Sequence, residues 1–461
     1  MLHNPLRAVL ASWVVATTLA TGLGLGLGQP AAAQSLEETL SLAYNANPTL
    51  RAARAELRAV NEGVPQALSN WRPEITLNGD LGAAYRDTKE PFRNKADGYP
   101  VGAQLNVIQP LYRGGRTVAG TERAEQQVLA QRAVLLTVEQ DVLFAAATAY
   151  LNVWRDQSIL QLNVKNEQVL ARQLEAAQDR FEVGEVTRTD VAQSESRLAR
   201  ATAERIAAEG ALASSRANFQ RVVGRYPELL EQPAPVVDLP TELDPLIEMS
   251  LREDPRVLQS IYSERAAEKS VRVAEGSLLP TLQLRGTLQH QDELHDSDNT
   301  FQEAQILAEL SVPFYQQGVV SSQVRQAKQT ASQRRIEVDA ARVRAREDAI
   351  RAWESHQTAK AQIESFKAEV RATEIALEGV RQENLVGSRT ILDVLDAEQE
   401  VLDAQVSLVA SQRDELVAAY AVRQAVGRLT AAALGLDVPI YNPDRNYEAV
   451  RNRWYGLDAT E

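Results

Sequence analysis

The sequence predicts a mainly α-helical chain that also carries transmembrane β-strands and is built from an internal duplication. Three observations carry that reading. The chain matches itself at a nearly fixed offset, each copy holds a pair of strand-like segments with period-two alternation, and a proline-free helical stretch of unusual length follows each pair.

The self-match runs through both halves. Asn47-Pro48 aligns with Asp254-Pro255, and RPEITLNGDL (72–81) aligns with LPTLQLRGTL (279–288), both at an offset of 207. QPLYRGG (109–115) aligns with VPFYQQG (312–318) at 203, as does FEVGEVTRTDVAQSE (181–195) with NLVGSRTILDVLDAE (384–398). The last pair matches Gly184 to Gly387, Thr187 to Thr390, Asp190 to Asp393 and Glu195 to Glu398. Repeat 1 is expected over 34–240, repeat 2 over 241–438, and a tail over 439–461.

The strands are read at 73–85, 100–110, 280–290 and 303–313. Ile75, Leu77, Gly79, Leu81, Ala83 and Tyr85 share one face and Thr76, Asn78, Asp80 and Gly82 the other; Val101, Ala103, Leu105 and Val107 repeat the pattern. So do Leu282, Leu284, Gly286 and Leu288, and then Ile306, Ala308, Leu310 and Val312. Segments of about 10 residues with one apolar face suit tilted membrane strands. An ordinary two-sheet sandwich would show the same alternation, but nothing else in the chain would cover its apolar face. Polar loops, 85–99 and 289–302, join the members of each pair.

The long helices are expected over 117–183 and 319–386, with return helices over 190–223 and 391–434. Apolar residues recur by sevens at Val128, Leu135, Val142 and Ala149 and again at Leu160, Leu174 and Phe181, which reads as heptads with an eleven-residue stutter between the sets. At 1.5 Å per residue, each long helix spans roughly 100 Å. Gly184 and Gly387 would end these helices, and Thr187 or Thr189, with Thr390, would cap the return helices. Shorter amphipathic helices are read at 36–46, 49–70, 243–253 and 256–276.

Composition narrows the compartment. Residues 1–33 carry Arg7, an apolar run and Ala31-Ala32-Ala33, the pattern of a cleaved signal peptide; a retained anchor is the competing reading. The net charge of −13 argues against nucleic acid. The chain has no cysteine, which excludes disulfides, thiolate metal sites and a lipid acceptor. No run of 18 uninterrupted apolar residues follows the signal. Four strands cannot close a barrel, and an open sheet would leave its edges unsatisfied in lipid, so several chains must share one barrel.

These features, with VGSRTILDVLDAEQ (386–399) and the Gly-x-x-Thr-x-x-Asp-Val pattern in both halves, resemble the TolC family of outer membrane efflux and secretion channels. The resemblance covers essentially the whole chain after the signal. It implies a homotrimer in the outer membrane of a Gram-negative bacterium: a trimeric 12-stranded β-barrel plus a long α-helical periplasmic tunnel, around whose waist residues 441–456 of the tail are expected to pack. It implies partners too, a periplasmic adaptor (membrane fusion protein) and an inner-membrane pump or ABC transporter. The function so implied is the exit duct of a tripartite efflux pump or type I secretion system.

The family's gate residues transfer singly. Asp393 and Asp396 stand where the family has two aspartates ringing the periplasmic entrance, Arg389 where it has an arginine, and Thr189 and Asp190 where partner residues hold the closed tip. Asn384 replaces a tyrosine of that latch. The physical reading agrees, since positions three apart share a helix face and a helix N-terminus favours negative charge. Two solvated first-turn acids are the bland alternative.

Other chemistry is sparse. His290, Asp292, Glu293, His295, Asp296 and Asp298 could hold a metal, but a polar loop rarely gives convergent ligands, and a solvated loop is expected. His356 lies mid-helix, and Trp71, Trp154 and Trp353 fit strand ends or helix packing. No phosphate loop, metalloprotease motif or nucleophile elbow is present, so no enzyme, catalytic residue, cofactor or resident metal is expected. The rival of another class is a periplasmic coiled-coil adaptor or scaffold, which would need the helices and no barrel.

Overall fold

A computed structural model describes residues 34–88, 94–292 and 300–459. The expected signal peptide and loop residues Glu293, His295, Asp296 and Asp298 lie outside them.

Two helices of 67 residues, α4 (Arg116–Glu182) and α8 (Val319–Leu385), dominate the chain. Each starts after a glycine in the left-handed region, Gly115 or Gly318, and spans about 100 Å at the α-helical rise. Each is followed by a return helix, α5 (Arg188–Val223) or α9 (Ile391–Ala425). Shorter helices precede the strands: α1 (Leu36–Ala46), α2 (Pro48–Asn61) and α3 (Gly63–Leu68) in the first half, α6 (Leu243–Glu253) and α7 (Pro255–Gly276) in the second. Asn47 and Asp254 cap α2 and α7, each followed by proline at the first helical position, where no N–H is needed.

One sheet holds β1 (Glu74–Leu81), β4 (Val101–Arg113), β5 (Thr281–Asp292) and β6 (Thr300–Ser311), antiparallel throughout and in that order. The register sorts its faces. One rung reads Leu77, Leu105, Leu288, Ala304, and the next reads Asn78, Gln104, Gln289, Glu303. The apolar face is exposed, including Ile75, Leu77, Leu81, Leu288, Ile306 and Leu310. The polar face is crosslinked, with Glu309 accepting from Arg285 at 2.8 Å and from Gln283 at 2.7 Å.

The first strand is shorter than its alternation suggested. It stops at Leu81, where Gly82 donates to the Pro100 carbonyl at 3.0 Å and Pro100 has no N–H to continue the ladder. Beyond the break, β2 (Ala84–Thr88) and β3 (Asn94–Gly98) pair as a separate ribbon.

The helix seam also departs from the expected pattern. Val128, Leu135, Val142, Ala149, Asp156, Asn163, Leu170 and Ala177 are all buried, so the sevenfold period runs without a stutter. Leu160, Leu174 and Phe181 flank this seam and are only partly covered. Two polar residues hid its continuity: Asp156 is neutralised by Arg155 at 2.7 Å, and Asn163 donates to the Ile159 carbonyl at 3.0 Å. In α9 the buried heptad is Ala397, Ala404, Ser411, Ala418 and Ala425, small enough for close helix approach.

The main core lies at mid-height, where α1, α2 and α5 pack on the Leu143–Val153 stretch of α4. By composition α4 contains a stretch apolar enough to cross a membrane, yet more than half of that stretch is buried inside the chain. Tyr150 anchors the core. Its hydroxyl lies 2.9 Å from the Gln34 carbonyl and 2.7 Å from that of Glu231, and burial raises its pKa above the ordinary tyrosine value.

The return helix expected to 434 ends at Ala425, because Gly427 turns the chain at φ +76°. A Cβ there would stand 2.4 Å from the Glu253 carbonyl oxygen. The chain then leads to α10 (Pro443–Arg451), fixed to the mid-height helices by Asn446 with Asn61 at 2.9 Å and Asp444 with Arg132 at 2.7 Å. These two glycine positions, Gly427 and Gly184, predict a graded result. Gly184→Ala meets nothing within 4 Å and bears only the left-handed penalty, about 1 to 2 kcal/mol. Gly427→Ala adds a backbone collision, so its thermal unfolding midpoint is expected to fall well below that of Gly184→Ala.

Candidate functional site

The candidate site is the end of the molecule opposite the sheet, where α4 turns into α5 and α8 into α9. The two turns are built alike. Gly184 and Gly387 take φ +83° and +77°, and the residue after each donates five positions back, Glu185 to the Arg180 carbonyl and Ser388 to that of Glu383, at 2.9 Å. This is the Schellman closure that lets a helix end satisfy its last carbonyls.

The return helices begin with reciprocal caps. Asp393 N–H donates to Thr390 Oγ1 at 3.2 Å, while Thr390 N–H and hydroxyl donate to Asp393 Oδ2 at 2.8 and 2.7 Å. Thr187 and Asp190 make the same box at 3.3, 2.9 and 2.8 Å. Thr187, rather than Thr189, is therefore the first-half cap. The hydroxyl and backbone N–H of Thr390 hold the Asp393 carboxyl below the usual carboxylate range, helped by the charge of Arg389. One oxygen of Asp393 is thereby committed to its own helix.

The other expected gate residues are placed as follows. Asp396 is half exposed and ion-paired with Arg197 of α5. Arg389 pairs with Glu383 at 2.9 Å, which with Asp393 holds its guanidinium still more firmly protonated. Among the described residues the structure brings neither Thr189 nor Asp190 to Arg389 within the chain. Asp190 is occupied by its own cap, and Thr189 is exposed. Asn384, in the position that lacks the family's tyrosine, donates to the Arg389 carbonyl at 2.9 Å and so braces the turn itself.

Sequence reasoning missed the buried charged contact of the tip. Glu398 of α9 is buried and accepts from Arg381 of α8 at 2.9 Å and from Gln173 of α4 at 3.4 Å. Its other oxygen has no protein partner. A charged residue next to Ala397 on the buried seam was the available signal. A cleft of about 280 Å³ opens beside it, lined by Gln173, Arg180, Glu378, Arg381 and Asn384 among others. The local apolar core is small: Leu170, Ala201 and Leu395 with Leu198 and Ile391 against them.

Elsewhere, His356 meets Glu415 at 3.2 Å, and Trp353 is half-buried in helix packing. His290 and Asp292 are 3.4 Å apart, and the described residues contain no group of three side chains able to hold a metal ion.

Comparison with known proteins fits this architecture. The outer membrane efflux protein family model matches residues 39–225 and again 246–428. The outer membrane efflux protein BepC of Brucella suis biovar 1 (strain 1330) is 36% identical over 448 residues, covering 96% of each chain. The outer membrane protein TolC of Escherichia coli (strain K12) is 25% identical over 426 residues, covering 88% of this chain and 85% of its own. Among solved structures, the Campylobacter jejuni CmeC outer membrane channel shares the fold, with a TM-score of 0.77 at 16% identity over 90% of this chain and 89% of that one. The adaptor reading loses its footing here, since these relatives are outer membrane proteins and the sheet exposes an apolar face. Matched in both halves and along nearly its full length, the chain belongs to the outer membrane efflux protein family, the TolC family of Gram-negative outer membrane channels.

Proposed function

We propose that three copies of this chain form a passive duct whose twelve strands close one barrel in the outer membrane and whose helices form a periplasmic tunnel. The observation that carries it is the sheet. Its four strands have an exposed apolar face, a crosslinked polar face and two edges, β1 and β6, that pair with nothing else in the sheet. In hydrocarbon such edges would each lose a row of hydrogen bonds, and pairing with neighbouring copies restores them. Ile336, Val343 and Ile350 form an exposed heptad-spaced stripe on α8, a surface that a second copy would cover. The two halves of each chain, one duplicated unit, would supply equivalent staves of the tunnel.

At the tip, Asp393 and Asp396 of three copies would place six carboxylates around the entrance, a field that concentrates cations and repels anions. The latch of Arg389 with Thr189 or Asp190 would form between copies, once Arg389 leaves Glu383. Opening would move α8 and α9 together away from α4 and α5, breaking Asp396–Arg197 and Gln173–Glu398 while keeping Arg381–Glu398. The duct performs no catalysis. The energy for opening would come from a periplasmic adaptor and an inner-membrane pump or ABC transporter, in an efflux or type I secretion assembly.

Single-channel recording in planar bilayers tests the gate. Wild type is expected to give small, cation-selective conductance, and Asp396→Asn with Asp393→Asn to weaken that selectivity severalfold; unchanged selectivity would remove both acids from the entrance. Asparagine keeps the cap geometry closer to native than alanine does. Removal of tip contacts gives a second, ordered expectation: Arg389→Ser and Arg197→Ala should each raise conductance, and Glu398→Gln should do so less, because its amide can still bond Gln173. A pH response follows from the Asp393 cap. Its folded carboxyl titrates below the ordinary value of 3.8, so the cap contributes fully above that value and is lost as pH falls through the lower one. Hydrogen exchange at residues 388–396 should therefore stay protected in mild acid and loosen only below about that pH.

A further inference from the structure

The last described residues form a closed loop beside the sheet. Beyond α10 the chain wraps around the guanidinium of Arg453, whose Nη1 donates to the Asp458 carbonyl at 2.6 Å and Nε to that of Tyr455 at 3.2 Å. Its own N–H donates to the Val450 carbonyl at 3.0 Å. Gly456 permits the closure: it takes φ +116°, and a Cβ on it would stand 2.5 Å from Arg453 Nη2. The loop so built turns apolar side chains outward. Trp454 is 65% exposed, Tyr455 90%, and Leu457 fully.

The same loop is tied to one end of the sheet. Arg72, two residues before β1, donates to the Arg453 carbonyl at 2.7 Å, and its guanidinium lies 4.9 Å from the Trp454 ring centre. The neighbouring Trp71 carbonyl accepts from Gln109 of β4 at 2.9 Å. At this end the sheet chains lead into α4 and α8, and Tyr112, Phe314 and Tyr315 are exposed there as well. Tyr85 and Tyr99 are exposed at the far end, beyond β1 and before β4. Tryptophan and tyrosine favour the boundary between hydrocarbon and water, where an apolar ring and a polar edge are both satisfied.

We propose that residues 453–457 are a membrane-interface anchor. In it Trp454, Tyr455 and Leu457 enter the phospholipid headgroup region of the periplasmic leaflet, continuous with the apolar face of the sheet. Arg453 acts within the protein, holding the loop in shape. The anchor rests on the reading that the apolar sheet face meets lipid, and the test separates the two.

The chain has no cysteine, so single labels can be placed cleanly. Tyr455→Cys and Leu457→Cys would carry a nitroxide in the full chain, reconstituted into phosphatidylethanolamine and phosphatidylglycerol vesicles. Leu77→Cys reports the sheet face and Asp244→Cys, on α6, an aqueous surface. The ratio of accessibility to oxygen over a water-soluble nickel complex is expected to be severalfold higher at 455 and 457 than at 244. Adding Arg453→Ala should lower it. A ratio at 455 and 457 equal to that at 244, with Leu77 lipid-like, would overturn the anchor and leave the barrel. Dipolar broadening between labels of neighbouring copies would instead make the loop a contact between chains and overturn the anchor too. A water-like Leu77 would sink both.

Discussion

Hydrocarbon offers no hydrogen bonds, and that single fact organises this chain. The strands of the sheet satisfy their neighbours through antiparallel ladders, with a register shift between Pro110 and Tyr112 where β4 meets β5, but among the described residues β1 and β6 each have one side without a strand. A soluble protein could hydrate those edges. In the outer membrane they must be paired, and four strands are too few to curl back on themselves. On the proposed reading, the need for partner copies would be set by strand number before any interface residue is considered. The segregation of faces follows from the same solvent: side chains alternate, so the face of Leu77 and Leu105 can meet lipid while the face of Asn78 and Gln104 meets water.

The helices solve a different problem, which is to extend roughly 100 Å without a broad core. A helix that long cannot be stabilised by one hydrophobic centre, so contact must be distributed along it. The α4 seam does this with a residue every seventh position over its length, and α9 does it with alanine and serine. Small side chains bury little area each, but they bring backbones close and leave few rotamers to freeze. The large aliphatic and aromatic residues are concentrated instead at mid-height, around Leu143 to Val153, Tyr44 and Phe219.

Much of this was legible in sequence, and the misses have identifiable causes. The alternation of the strands and the glycine turns reads directly, because each depends on one residue and its immediate neighbours. The seam is hidden in sequence where Asp156 and Asn163 occupy buried positions, because apolarity no longer marks burial there and both residues are satisfied locally instead. The end of α9 is not legible locally, because the collision that fixes Gly427 comes from Glu253, distant in sequence. At the tip, residue types were visible but pairings were not. Arg197 and Asp396 lie 199 residues apart and Gln173 and Glu398 225, and no local pattern announces either pairing.

The unequal strength of those two pairings bears on how the tip could open. Asp396 and Arg197 are partly solvated, and such pairs contribute about 0 to 1 kcal/mol. Glu398 is buried with one oxygen already lacking a protein partner, so losing Gln173 leaves its charge still less compensated. Yet Arg381 lies on the helix that travels with Glu398, and it remains bonded if α8 and α9 move as a pair. At the tip itself, separation would then break one weak ion pair, one long hydrogen bond and the small contact of Leu170, Ala201 and Leu395 with Leu198 and Ile391. On the proposed opening, a helix pair held lightly at the tip and firmly at mid-height would give way where it is least packed, and a partner protein would need to replace only a few contacts to displace it.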